Sequence, residues 1–287
     1  MMPVMIRRHF GLLLLAMLAA SFSGLRQASA QEAVPQSQGG REMLVFAPPH
    51  LAPPGARALV LVLHGGLGNA GRIADRQAES GLNLNAVAAK DGFVVAYLNG
   101  TPVTRLLGGK FLGWNAGGGC CGVPARDDVD DVGYIQGAIA ELSGRYGIAP
   151  GRVYGIGHSN GAMMLQRMAC ETKAFAAIVA VSGPLNIRDA QCPAAAGTRI
   201  LAIHGADDKN VPLAGGVGPR GLSRLDFNSE ENSANAFARA GAHYTLQVVP
   251  GADHFLDHID AAILKAESVT IAQKASGFFG LTRTAVP

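Results

Sequence analysis

The chain is poor in most features that would point away from a globular enzyme. Aromatic residues make up 6% of its 287 residues, with one tryptophan, and charged residues only 16%. With 24 Lys and Arg against 21 Asp and Glu there is no strong basic excess, so a nucleic-acid partner is not expected. None of the 38 glycines falls in a P-loop or dinucleotide fingerprint, which sets aside a phosphate cradle. The acid cluster Asp127-Asp128-Val129-Asp130-Asp131 lacks EF-hand spacing and reads as capping charge ahead of a helix. Asp253-His254-Phe255-Leu256-Asp257-His258 puts two histidines four apart without the glutamate of a zinc hydrolase. No metal and no cofactor is expected.

What is present is Val153-Tyr154-Gly155-Ile156-Gly157-His158-Ser159-Asn160-Gly161, an apolar strand entering Gly-x-Ser-x-Gly. Glycine is so common here that the pattern alone is weak. Its context is stronger, because residues 162–170 follow with Met163, Met164, Arg167, Met168 and Cys170 at helical spacing. A serine at such a strand-to-helix turn is exposed for attack, and the helix aims its N-terminal dipole at developing negative charge.

A nucleophilic serine needs a base and an acid to orient that base, and in this arrangement they follow it in the order Ser, acid, His. Asp207 and Asp208 come directly after a strand candidate at 198–205, on the rim where open α/β sheets place their sites. Of the three later histidines, His243 opens a strand. His254 sits in the loop leaving the last strand, 244–249, and is the base candidate; His258 is its competitor. Two backbone donors should form an oxyanion hole. One is the N–H of Asn160. The other is assigned to Gly66, in the glycine loop after the strand 58–63; His64, at that strand's end, reads as structural or as a cleft residue.

Five blocks occur in the order of a known family: Leu63-His64-Gly65-Gly66, Trp114-Asn115 ahead of Cys120-Cys121-Gly122, Val129-Asp130-Asp131-Val132-Gly133-Tyr134-Ile135, the serine turn, and His204-Gly205-x-x-Asp208-x-x-Val211-Pro212. Over residues 59–254 the chain resembles the secreted polyhydroxybutyrate depolymerase and feruloyl esterase family. The resemblance implies an α/β-hydrolase fold, a mostly parallel central sheet flanked by helices in a single domain. It makes Ser159 the nucleophile, Asp208 the acid and His254 the base. It also implies esters on plant polysaccharide, feruloyl or acetyl, or short hydroxyalkanoate esters as substrates. In place of the Trp-Pro-Gly type segment that many members carry after the histidine, this chain has Phe255-Leu256-Asp257-His258. A serine peptidase of the same fold and a non-catalytic secreted binding protein are the alternative readings.

The first residues have a signal peptide's layout: Arg7 and Arg8, an apolar stretch from Phe10 to about Ala20, and Ala28-Ser29-Ala30. The stretch is short for a membrane span, so no span is expected in the mature protein, and Arg7-Arg8-His9-Phe10 is also similar to a twin-arginine signal. A signal peptide over 1–30, a loose polar leader over 31–40 and a catalytic domain over 41–287 are expected, in a secreted or periplasmic protein. Strands near 43–48, 58–63 and 93–98, helices near 82–90 and from about Asp130, and one long helix over about 259–279 complete the outline. The glycine-rich stretches 107–122 and 214–221 should build the cleft, with Trp114 either lining it or buried. Four cysteines in an exported chain suggest disulfides. Cys170, ending the serine helix, and Cys192, after the next strand, are the favoured pair, leaving Cys120 and Cys121 to each other or free.

Overall fold

A computed structural model describes residues 33–282 except 76, 78–81, 105–108 and 222–223. The expected signal peptide lies outside the described residues. Eight strands form one sheet: β1 (Val34–Gln38), β2 (Arg41–Phe46), β3 (Leu59–Leu63), β4 (Val94–Leu98), β5 (Val153–His158), β6 (Ala177–Val181), β7 (Arg199–Gly205) and β8 (His243–Val249). Their spatial order is β1-β2-β4-β3-β5-β6-β7-β8. β2 runs antiparallel to both neighbours, and all other pairs are parallel.

The helices are α1 (Ala70–Ala74), α2 (Asn85–Asp91), α3 (Gly122–Arg126), α4 (Asp131–Tyr146), α5 (Asn160–Glu171), α6 (Glu230–Arg239), α7 (Leu256–Glu267) and α8 (Ile271–Phe279). A strand covered on both faces must be apolar at successive positions. β3 shows this directly: Leu59, Leu61 and Leu63 pack into one core with α4, α5 and α6, while Val60 and Val62 pack into the other with α1, α2, α7 and α8. No helix among the described residues is long and apolar enough to cross a membrane.

Two expectations are corrected. The described part of the leader 31–40 is ordered: β1 pairs with β2 across Gly39-Gly40, both at positive φ, the conformation a two-residue hairpin turn demands. The single helix over 259–279 is two. Ser268 takes a left-handed conformation that ends α7, and Thr270 with Gln273 forms a capping box that starts α8. Helix α6 lacked an expectation because its sequence is polar, and it buries chiefly Glu230, Ser233, Ala236 and Phe237. Asp130 caps α4 by accepting from the Gly133 N–H, as the acid cluster suggested.

Candidate active site

Ser159 sits between β5 and α5 with φ 53 and ψ −121, outside the conformations a serine prefers. The turn closes only because of its glycines. A Cβ on Gly161 would run into the carbonyl oxygens of Leu63 and His64, and one on Gly157 into the Gly161 backbone. The Ser159 N–H still donates to Val181 O (2.8 Å), while its carbonyl accepts the first helical bond, from Met163 N (3.0 Å). The side chain is therefore lifted off the ends of β5 and β6.

The structure brings the three expected side chains together. Ser159 Oγ lies 2.9 Å from His254 Nε2, and His254 Nδ1 lies 2.6 Å from Asp208 Oδ2. With Nδ1–H donating to the carboxylate, Nε2 is left free to accept the serine proton. Asp208 is held by its own turn, where Oδ1 accepts from the N–H groups of Asn210 (2.8 Å) and Val211 (2.9 Å). Burial opposes its ionisation, but bonds from His204 and His254 outweigh this and hold the carboxyl well below the usual carboxylate range.

His158 has a role the sequence did not disclose. Its Nε2–H donates to the carbonyl of His254 (2.9 Å), tying the base's loop to the serine turn. Burial, then the neighbouring His254, lowers its pKa to about 3, so the ring works as a neutral strut. His258 is not at the centre: it is exposed and bonds Asp253 Oδ1 (2.9 Å), which also accepts from Phe255 N.

A cleft of about 580 Å³ opens over Ser159. Gly66 and Asn160 both line it beside Ser159 and His254. Leu67, Ile73, Val103, Met163, Val211 and Phe227 make much of the wall apolar, and Arg72 supplies a cation among the described lining residues. His64 lines the floor but is fully engaged, with Nδ1–H donating to Gly65 O (2.8 Å) and Nε2 accepting from Gly100 N (3.1 Å). Burial lowers its pKa to about 4, so it stays neutral.

Of the two places open to Trp114, cleft or core, it takes the core. It is fully buried, and its Nε1–H donates to His64 O (2.9 Å), beneath the glycine loop. The Asn160 side chain grips the Trp114 backbone at both ends, Oδ1 accepting from its N–H (2.7 Å) and Nδ2 donating to its carbonyl (3.1 Å). Asn115 N in turn donates to Asp131 Oδ2 (2.7 Å), and Arg41 on β2 pairs with the other oxygen, Oδ1. The stretch containing Trp114 and Asn115 thus fixes the residue that follows the serine. Cys170 pairs with Cys192, and Cys120 with Cys121, whose residue reaches the cleft wall.

A central strand delivering a serine to a helix, with an acid after β7 and a histidine after β8, defines the class: the chain has the α/β-hydrolase fold. Esterase PE8 superposes on 78% of this chain and 99% of its own, with a TM-score of 0.52 at 20% identity. In sequence, the chain is 35% identical over 164 residues to NocK of Nocardia uniformis subsp. tsuyamanensis, itself only provisionally named an esterase. It is 28% identical over 184 residues to feruloyl esterase B of Piromyces equi. The matches take in 56% and 62% of this chain. The chain spans 43% and 31% of those two proteins' own lengths. No family model matches the chain.

Proposed function

We propose that the protein is a serine carboxylic ester hydrolase, exported after removal of residues 1–30. The observation that carries this is the continuous line of hydrogen bonds from Ser159 through His254 to Asp208 at the floor of the cleft. Ser159 Oγ attacks the ester carbonyl as its proton passes to His254 Nε2. The N–H groups of Gly66 and Asn160 receive the oxyanion. Collapse of that intermediate expels the alcohol, which takes the proton from His254 and leaves an acyl group on Ser159. Water, giving its proton to the same nitrogen, then releases the acid and restores the serine.

The apolar walls suit an acyl chain or ring, and the match to a feruloyl esterase favours feruloyl or acetyl esters of plant polysaccharide, with short hydroxyalkanoate esters as the other substrates of this reading. The test is hydrolysis of p-nitrophenyl acetate, butyrate and octanoate, with methyl ferulate alongside, by the mature protein and by Ser159→Ala. Loss in the variant supports the serine mechanism, and the preferred ester selects the acyl class. Equal rates in the two proteins, or none in either when folded, would overturn the reading.

A further inference from the structure

Behind Asp208 lies a second buried histidine that the reaction above does not use. His204, on β7, is completely buried. Its Nδ1 is 2.8 Å from Glu230 Oε1 on α6, and its Nε2 is 2.9 Å from Val211 O and 3.2 Å from Asp208 Oδ2. Each neighbour of Nε2 can only accept, so Nε2 carries a proton, and Nδ1 faces a carboxylate. Glu230 is itself held by Tyr244 on β8, whose O–H donates to Oε2; Gln166 Nε2 on α5 lies 3.5 Å from the Tyr244 hydroxyl. Proton donors on both ring nitrogens make His204 an imidazolium between two carboxylates. Burial works against that charge, yet Asp208 and Glu230 outweigh it and raise the pKa to about 10.

His254 and His204 thus bond the same oxygen, Asp208 Oδ2. When His254 accepts the Ser159 proton it becomes a second cation on one carboxylate. The groups around the pair are His158 from β5, Asp253 from the loop of His254, Glu230 from α6 and Tyr244 from β8. His158 is held neutral. Glu230 lies on the far side of His204, so His204 and Glu230 together present the positive end of a buried dipole to Asp208 and His254.

We propose that His204, anchored by Glu230, is a positioning residue that fixes Asp208 from behind, so that the oxygen it contacts stays aimed at His254 Nδ1 throughout the reaction. This rests on the serine-hydrolase reading above.

The test uses His204→Gln/Glu230→Gln, which removes the charge pair together and keeps amides of similar shape. Protein labelled with 15N-histidine is titrated by NMR, and kcat and KM for p-nitrophenyl butyrate are followed from pH 4.5 to 9. In the parent, His204 should keep both ring protons up to about pH 9. In the double variant Asp208 loses its rear anchor, so kcat for p-nitrophenyl butyrate should fall roughly tenfold at every pH of the series while KM stays within about twofold of the parent's. A parent His204 that titrates below pH 8, or a folded double variant whose kcat stays within about twofold of the parent's, would overturn the inference. Should the double variant not fold, the titration of His204 in the parent still decides. The NMR arm needs no turnover, so a protein that hydrolyses no ester would refute the proposed function and leave this inference to be decided separately.

Discussion

Replacing Asp208 by asparagine tests the site through a constraint that is already built into its turn. Oδ1 of Asp208 accepts two backbone N–H groups, from Asn210 and Val211. An asparagine can satisfy them only with its carbonyl oxygen there, which puts its NH₂ where Oδ2 now faces His254 and His204. That NH₂ donates to His254 Nδ1, so the imidazole proton is forced onto Nε2, where it points at Ser159 and blocks proton transfer. A wrong tautomer in such a triad costs about 10⁴ in kcat, or roughly 5.5 kcal/mol of transition-state stabilisation. The same NH₂ meets His204 Nε2–H donor to donor, removing a charge-assisted bond and lowering stability by about 1.5–3 kcal/mol. Steady-state hydrolysis of p-nitrophenyl butyrate, with circular dichroism and urea unfolding as the check on folding, measures both losses. A folded Asp208→Asn protein within tenfold of the parent kcat would refute the argument.

Four further outcomes are expected. His64 and His158 are buried neutral, with pKa values of about 4 and 3 against an unfolded value near 6.5, so the unfolded chain binds more protons than the folded one below that pH. Stability is then full above pH 6.5 and falls toward pH 4 by about 1.4 kcal/mol per pH unit for each histidine; urea midpoints of Ser159→Ala that stay flat from pH 6.5 to 4.5 would contradict this. The raised pKa of His204 gives the opposite dependence, a contribution intact below pH 6.5 and lost as pH climbs to about 10, visible in the same series on the alkaline side. Separately, Gly161→Ala should cost about 1–3 kcal/mol or more by driving a methyl group into the Leu63 and His64 carbonyls, and an unfolding midpoint equal to the parent's would show that the turn can yield. Finally, Cys170→Ser/Cys192→Ser opens a link between residues 22 apart and should lower stability by about 3 kcal/mol under oxidising conditions, with no difference from the parent once both are reduced.

Much of this protein is legible without a structure wherever local chemistry is decisive. The runs 59–63, 94–98 and 177–181 are apolar at every position, which only strands covered on both faces require, so a parallel sheet follows from pattern alone. Ser159 is marked by glycines that a sharp strand-to-helix turn needs, and Asp208 and His254 stand in loops just past strand ends. Their proximity to one another follows from the order of strands on one rim. The helix break at Ser268 was less legible, because apolar periodicity continues across it through Val269 and Ile271.

What only the tertiary structure decided are the contacts between segments far apart in the chain. Trp114 had equal claims on cleft and core until the backbone of His64 was found above its indole nitrogen. His158 occupies the variable position of the serine turn, and nothing local says that it holds the loop of His254. His204 and Glu230 meet across 26 residues, and Asp208 and His254 across 46. A sequence determines which residues can be strand, turn or nucleophile, because those choices depend on neighbours a few positions away. Which buried charges face each other, and so which protons are held, depends on how the sheet gathers its strand ends.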